Sequence, residues 1–515
     1  MTQSMVSRLL CKSAHWIDDV SAVVVVTAVS AIAAALLALS GCATPEPTTP
    51  PVLPTAAEVG LHAAQATPEA PNEWWWMFND PQLDSLIQQA LVDQPSGQPN
   101  GQVVQARLAR AQAMTASTRA GQSPQIGLAA DATWQRYSAR GLLPPQIAGS
   151  THDSGNLQLN GSYALDLFGK QAAALKASVG AERAAQADVA AAKAMISAQV
   201  AQAYVGLARL RSMAELAART VAQREAVLAL TQQRVQAGID NQGDVASVQT
   251  ALAESRTQSE ALNEQAAVAR HALAVLCGLA PQAVDELAPS LPPLQPAALP
   301  QRLGADLLGR RADVLAARWR VEAAAGQLDQ AVADYAPDIN LVGFIGLNSL
   351  GLDKLLSLPS RTYGVGPALR LPIFDGGRLK AQQRGRQAEL DVAVASYRGV
   401  VLDAARQALD ALSSLQSLQV QMRTQASAVG AADRGVQIAR ERRRAGVGNE
   451  LQALAAETAW LAQRRSLTDL HARVLDSQVA LIQALGGGWT LPDELKTLTP
   501  LAAVALTSEI GAKRP

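Results

Sequence analysis

The clearest pattern in the chain is alternation. Between Asn156 and Lys170 the apolar residues are Leu157, Leu159, Tyr163, Leu165 and Leu167, and the polar ones Asn156, Gln158, Asn160, Ser162 and Asp166. A period of two sends these sets to opposite faces of a β-strand. A tilted strand needs about ten residues to cross a bilayer. One apolar and one polar face is the pattern of a membrane barrel wall. A second copy follows at Thr362–Arg378, with Tyr363, Val365, Leu369, Leu371 and Ile373 on one face. Each copy is preceded by another alternating segment: Ile126, Leu128, Ala130, Ala132 and Trp134, then Ile339, Leu341, Ile345 and Leu347. Four strands are therefore predicted, at about 124–138, 155–168, 337–348 and 362–374.

The period then changes. Val200, Leu207, Ala214, Val221, Leu228 and Val235 recur every seventh residue, as do Val401, Ala408, Leu415, Met422, Val429 and Val436. This spacing predicts long helices packed along a coiled-coil-like seam. Their expected bounds are 169–237, 244–277, 376–444 and 449–485. Seventy residues of helix extend about 105 Å, too far to form a globule alone. Shorter helices are expected before each strand pair, at 103–120 and 311–335, and after Asp80, which caps a helix with Pro81 in its first turn. Leu83, Leu86, Ile87 and Ala90 share a face of that helix, and Trp74, Trp75 and Trp76 read as a packing anchor. The second half of the body repeats the first. Phe374 lies 206 residues beyond Phe168, and Ala445-Gly446 lies 208 beyond Ala237-Gly238. The expected organisation is a first repeat over 72–290, a second over 291–490 and a tail over 491–515.

Four strands cannot close a membrane barrel, since such barrels begin at about eight and an open edge cannot stand in lipid. Copies of the chain must share one. Two copies supply eight strands and three supply twelve, and strand number alone does not choose. The helices continue such a wall as a conduit.

Ahead of the body, Ser21–Leu39 is almost wholly apolar and follows Arg8 and Lys12. Leu39-Ser40-Gly41-Cys42 resembles a bacterial lipobox, which makes 1–41 a signal peptide, Cys42 the acylated N-terminus and 42–71 a Pro-, Ala- and Thr-rich tether. The other reading of Cys42 is the tail of a membrane-spanning helix. Alanine rather than aspartate at position 43 implies the outer membrane in the lipoprotein class.

Composition narrows the function classes. Lysine plus arginine and aspartate plus glutamate both number 44 in 515 residues, so no net charge recruits nucleic acid. Aromatics are only 3 %. The three cysteines and five histidines have no metal or redox spacing, so no metal and no cofactor is expected. Without paired carboxylates, a Ser-His-Asp set or a Cys-His pair at useful spacing, no catalytic residue is assigned and the chain does not read as an enzyme. Gly376 and Gly377 lack the lysine-serine signature of a phosphate loop and read as a tight strand-to-helix corner.

Several stretches together resemble one family. They are the lipobox, WWWMFNDPQLDSLIQQAL from Trp74, RRADVLAARWRVEAAAGQLDQAVADYAPDINL from Arg310, LPIFDGGR from Leu371 and the paired Ala-Gly turns. Over about residues 72–490 the chain is similar to the TolC/OprM family of outer-membrane efflux channels. The nearest branch is the NodT-like lipoprotein type that serves resistance-nodulation-division pumps. The resemblance implies a mostly α fold with a membrane β-barrel: a homotrimer with a twelve-stranded barrel in the outer membrane and an α-helical barrel in the periplasm. It implies a periplasmic adaptor and an inner-membrane, proton-driven pump as partners. Lipid surrounds the barrel, and small solutes or drugs are the cargo.

The resemblance also puts adaptor contact at the helical turns, here Arg234, Ala237, Gly238, Ile239 and Arg444, Ala445, Gly446, Val447. It closes the tip with carboxylates beyond the glycines, where Asp240 and Asp244 stand. The second repeat departs, with Gln452 and Ala455 at the aspartate positions and Glu450 and Glu457 nearby. The loop Gln94–Gly101 is longer than the usual form. Two readings of Asp240 and Asp244 stand side by side: a charged, cation-selecting ring or latch, and ordinary turn and cap residues. The run Glu441-Arg442-Arg443-Arg444 is either a solvated helix face or an adaptor dock or latch. Two other functions fit parts of the sequence: a duct for protein secretion with an ABC-type pump, and a structural coiled-coil lipoprotein. The four strands and their loops count against the second.

Overall fold

The computed structural model describes residues 45–53, 71–92, 99–140, 144–291 and 307–487. Cys42, the leader, most of the tether, the middle of the Gln94–Gly101 loop and the tail lie outside the described residues.

The elements follow the expected order. Helix α1 (Pro81–Ala90) and α2 (Pro99–Gly121) lead to strands β1 (Gln125–Arg136) and β2 (Thr151–Leu165). Helices α3 (Lys170–Gln236) and α4 (Gln242–Leu276) come next, then α5 (Ala312–Ala333), β3 (Asp338–Leu350) and β4 (Arg361–Arg370). Helices α6 (Arg378–Arg444) and α7 (Glu450–Ala484) close the series. Both α3 and α6 have 67 residues and both α4 and α7 have 35, so one offset of 208 pairs them end to end.

Two strands differ most from expectation at their ends. The segment expected over 362–374 stops pairing at Arg370, because Leu371 leads into Pro372, which has no N–H for a ladder. The segment expected over 155–168 starts earlier, at Thr151, and ends at Leu165. Its added residues His152, Asp153 and Ser154 pair with Gln135, Trp134 and Thr133, and being polar they hide the alternation.

The chain forms two compact units, and each draws on both repeats. One comprises 1–50, 115–179 and 322–392; the other comprises 51–114, 180–321 and 393–515. The first holds a four-stranded antiparallel sheet in the order β1-β2-β3-β4. Its central pairing, β2 with β3, joins strands of different repeats.

In the second unit, Asp80 accepts hydrogen bonds from the N–H groups of Gln82 (3.0 Å) and Leu83 (3.4 Å), and its other oxygen takes the hydroxyl of fully buried Tyr204 at 2.5 Å. That cap turns Leu83, Leu86, Ile87 and Ala90 inward, all buried. Trp74, Trp75 and Phe78 pack edge to face beside them, with ring centroids 5.9 and 6.2 Å apart. Trp76 corrects the expectation of a three-tryptophan anchor: it is half exposed, because a 3-10 turn over Trp74–Phe78 carries it to the other side. The core beneath joins Val200, Tyr204 and Leu207 of α3, Leu273 and Cys277 at the end of α4, and Leu475 and Val479 of α7. A second cluster joins Leu412, Leu415 and Leu418 of α6 to Val474 and Leu481 of α7. The seam positions Val401, Ala408, Leu415 and Val436 are buried as expected, whereas Ala214, Val221, Leu228 and Val235 are only half-buried.

Candidate functional site

The sheet carries the first functional feature. Its register aligns the four alternating patterns on one side. Leu128 pairs with Leu159, Leu159 with Ile345, and Ile345 with Tyr363. One row below, Ile126 faces Gly161, Gly161 faces Gly343 and Gly343 faces Val365. This face is apolar along most of its length, with Arg136, Thr151, Asp153, Ser349 and Arg361 at one end, and it is open: Ile126 is 72 % exposed, Tyr363 81 % and Val365 80 %. Burying such side chains in a soluble core would stabilise each by about 1.5–3 kcal/mol, yet among the described residues none covers them. The opposite face carries Asp131, Asn156, Gln158, Asn160, Asn340 and Asn348, with Asn156 donating to Asp131 at 3.0 Å. Val342, Phe344 and Leu350 are its large apolar exceptions. Strands β1 and β4 each have one neighbour, so both outer edges keep unpaired backbone groups. Among the described residues no helix is long and apolar enough to cross a membrane.

The second feature is the pair of helical turns, α3 to α4 and α6 to α7. Each ends its first helix with glycine in the left-handed region, Gly238 at φ 72° and Gly446 at φ 74°. The next N–H reaches back to a carbonyl five residues earlier: Ile239 to Arg234 at 2.9 Å and Val447 to Arg442 at 3.0 Å. Each second helix opens with an asparagine in a capping box, Asn241 with Asp244 and Asn449 with Gln452.

The side chains on these turns differ. Arg234 grips Asp240 through two hydrogen bonds of 2.7 and 2.8 Å, and that guanidinium holds the Asp240 carboxyl below the usual carboxylate range. Asp244 is exposed and accepts from the Asn241 N–H at 3.0 Å, which is its capping role. Position 448, the counterpart of Asp240, is glycine. Arg442, the counterpart of Arg234, makes no ion pair among the described residues, nor does Arg444. Arg443 instead binds Glu450, and Arg440 reaches Glu457 at 3.4 Å. Ala237 and Ala445 close their helices beside the glycines, and Ile239 (64 %) and Val447 (67 %) stand open to solvent. Sequence reasoning placed all these residues at the turns; it missed the Arg234–Asp240 and Arg443–Glu450 pairs, which exist only once the chain has reversed.

A cavity of about 500 Å³ in the helical unit is lined by Arg107, Asp188, Arg311, Asp313 and Arg320 among others. Its charges are largely spent on one another: Arg320 on Asp188, and buried Arg311 on Asp313, Gln407 and the Ala484 carbonyl. Cys277 is buried, and burial pushes its thiol up to about 12. The described residues include no cluster of three or more His, Cys, Asp or Glu able to hold a metal. Gly376 and Gly377 both have positive φ, and the Asp375 carboxylate receives the N–H groups of Gly377 (3.0 Å) and Leu379 (2.8 Å), which makes a corner that caps α6.

The outer membrane efflux protein family matches residues 86–279 and 303–487, which take in α3, α4, all of the second strand pair, α6 and α7. The chain belongs to that family. It is 32% identical over 476 residues to the multidrug resistance outer membrane protein MdtQ of Escherichia coli O157:H7, covering 88% of this chain and 96% of the relative. It is 31% identical over 435 residues to MdtP of Escherichia coli O6:H1, covering 83% of this chain and 88% of the relative. Among solved structures, the outer membrane protein VceC of Vibrio cholerae superposes with a TM-score of 0.75 at 34% identity, covering 82% of this chain and 100% of VceC. The fold is thus that of the TolC-like outer-membrane channels.

Proposed function

We propose that this chain is the outer-membrane channel of a tripartite efflux system. It is a passive exit duct for drugs or other small solutes, driven by an inner-membrane resistance-nodulation-division pump through a periplasmic adaptor. The observation that carries the reading is the four-stranded sheet with one exposed, largely apolar face and two unpaired edges. In lipid those edges must pair, and copies of the same chain supply the partners. Three copies give the twelve-stranded barrel of a homotrimer. The relatives' printed multidrug resistance names support a drug or small-solute cargo.

Membership also suits the remaining roles. Cys42 is the acylated N-terminus that holds the protein to the outer-membrane lipid, after removal of 1–41, and 72–290 and 291–490 are the duplicated bodies. The open residues at the two turns, Ala237, Gly238 and Ile239 and Ala445, Gly446 and Val447, form the adaptor contact. Asp240, Asp244, Arg444 and Glu450 are the charges that govern the tip. Of these, Asp244 and Arg444 are exposed and Asp240 is already held by Arg234.

Cells deleted for the chain should accumulate a fluorescent efflux substrate, and re-expression should restore export. Equal accumulation with and without the chain, while adaptor and pump are present, would remove the efflux reading.

A further inference from the structure

The segment that follows Cys42 does not lie free on its unit. Glu46 and Thr49 are bound to the first turns of α6. The Glu46 N–H donates to Gln383 Oε1 at 3.0 Å, and Gln383 Nε2 donates to the Glu46 carbonyl at 2.7 Å, so one side chain pairs with the strap backbone as a neighbouring strand would. The Glu46 carboxylate takes Arg384 through two bonds of 2.9 and 2.8 Å, and Lys380 at 2.8 Å. One turn further on, the Gln387 amide holds both the N–H and the carbonyl of Thr49 at 3.4 Å. Gln383 is only 3 % exposed, and its amide is satisfied by the strap. The Arg384 and Lys380 charges hold the Glu46 carboxyl at about 2.

The duplication supplies a control inside the molecule. At the offset of 208 that aligns α3 with α6, the counterparts of Lys380, Gln383, Arg384 and Gln387 are Ala172, Leu175, Lys176 and Val179. Of these only Lys176 is polar, and it binds Asp329 of α5. The polar stripe therefore exists in one repeat only, the one that carries the strap. A general need of the helix for solubility would have left it in both.

Direction adds meaning. The strap advances from Glu46 to Thr49 as α6 advances from Gln383 to Gln387, so the chain before Glu46 leads back toward the start of α6. There the corner carries Phe374, 86 % exposed, and half-exposed Ile373, just past the end of β4. Four residues reach at most about 14 Å, so Cys42 is tied within that distance of Glu46. We propose that Lys380, Gln383, Arg384 and Gln387 form a dedicated docking site for the strap after Cys42. The site pins the acyl anchor beside α6, at the sheet end of that helix. It rests on the reading of Cys42 as the acylated residue. Each protomer then carries its anchor at one fixed place, next to the second strand pair and never the first.

The test uses the full chain expressed in cells. Thr49→Cys with Gln387→Cys should be joined by a short thiol-specific bifunctional reagent within one chain, several-fold more than Thr49→Cys with Val179→Cys. Adding Glu46→Lys should abolish the preference, and adding Lys380→Glu and Arg384→Glu to that variant should restore it. Equal joining to positions 387 and 179, or a preference indifferent to Glu46→Lys, would overturn the docking site. The mass of the N-terminal peptide separates the two readings: an unmodified Cys42 with the preference intact would overturn the acyl anchor and leave the docking site standing.

Discussion

Helices α4 and α7 are copies of one element, and their surroundings differ. Both have 35 residues, yet α4 buries six of them and α7 eleven. Helix α7 packs on two neighbours, since Leu475 and Val479 join the α3 cluster while Val474 and Leu481 join that of α6. Helix α4 joins the α3 cluster through Ala266, Leu273 and Ala274, and elsewhere it shows Val268 and Val275, 60 % and 59 % exposed. Helix α6 likewise leaves Leu402 and Leu409, one heptad apart, about half exposed. The repeat symmetry says what is missing. A helix of this type wants two neighbours, and we propose that in a ring of copies the open side of α4 meets α6 of the next chain. That is a head-to-tail contact, the kind that closes into a ring. The helices thus ask for the same partners as the open edges of the sheet.

The turns teach the complementary lesson. What the backbone requires has been kept in both: left-handed glycine, a backward hydrogen bond and an asparagine cap. What faces solvent has diverged: the first turn pairs Arg234 with Asp240, whereas the second pairs Arg443 with Glu450 and leaves Arg442 and Arg444 without an ion pair among the described residues.

These contrasts can be broken or sharpened experimentally. The largest effects belong where the copies are alike. Leu128→Lys and Val365→Lys place a charge on the same lipid-facing wall, one per repeat, and each should cost about 2–4 kcal/mol. The measurement is the yield of membrane-inserted, heat-modifiable oligomer, whereas Asn156→Lys on the polar face should leave it near normal. Next comes the α4 surface. Val268→Asp should weaken assembly by about 2 kcal/mol per contact, seen as a shift of native mass toward single chains. The counterpart in α7 is already an aspartate, Asp476, so the change tests whether α4 alone awaits a neighbour. Third, Gly238→Ala and Gly446→Ala should each destabilise their turn by about 1–2 kcal/mol, through backbone strain rather than collision, because nothing lies within 4 Å of an added Cβ. Thermal melting should show two nearly equal losses.

Smaller still is the effect of Asp244→Ala. It should lower cation preference or raise conductance in a planar bilayer; an unchanged recording would leave Asp244 as a helix cap and nothing more. The smallest effect is one of pH. The Asp240 carboxyl is lowered by Arg234, so its contribution is complete above the ordinary carboxylate range and is lost as the pH falls through its lowered value. Hydrogen exchange should therefore quicken in acid at the first turn. The second turn has glycine in place of Asp240 and lacks that particular transition.

Much of this was legible in the sequence because the signals are local or periodic. Leu157 to Leu165 announce their face by alternation, Asp80-Pro81 announces a cap, and Ala237-Gly238 announces a turn. The repeat offset follows from pairs such as Phe168 and Phe374. The departures have other causes. Trp76 turned outward because three consecutive tryptophans in a 3-10 turn cannot all face one core. Strand β4 stopped early because of a single proline. The strap on α6 joins residues 337 and 338 positions apart, so no local rule finds it. Aligning α3 with α6 at the offset of 208 would have exposed the unmatched polar stripe, and that is the signal the sequence did contain.

If one chain supplies a third of a conducting wall, the native mass of the detergent-extracted protein, joined to electrical recording of the same preparation in a planar bilayer, should give three chains and a steady conductance. A single chain or a pair with no conductance would contradict that arrangement.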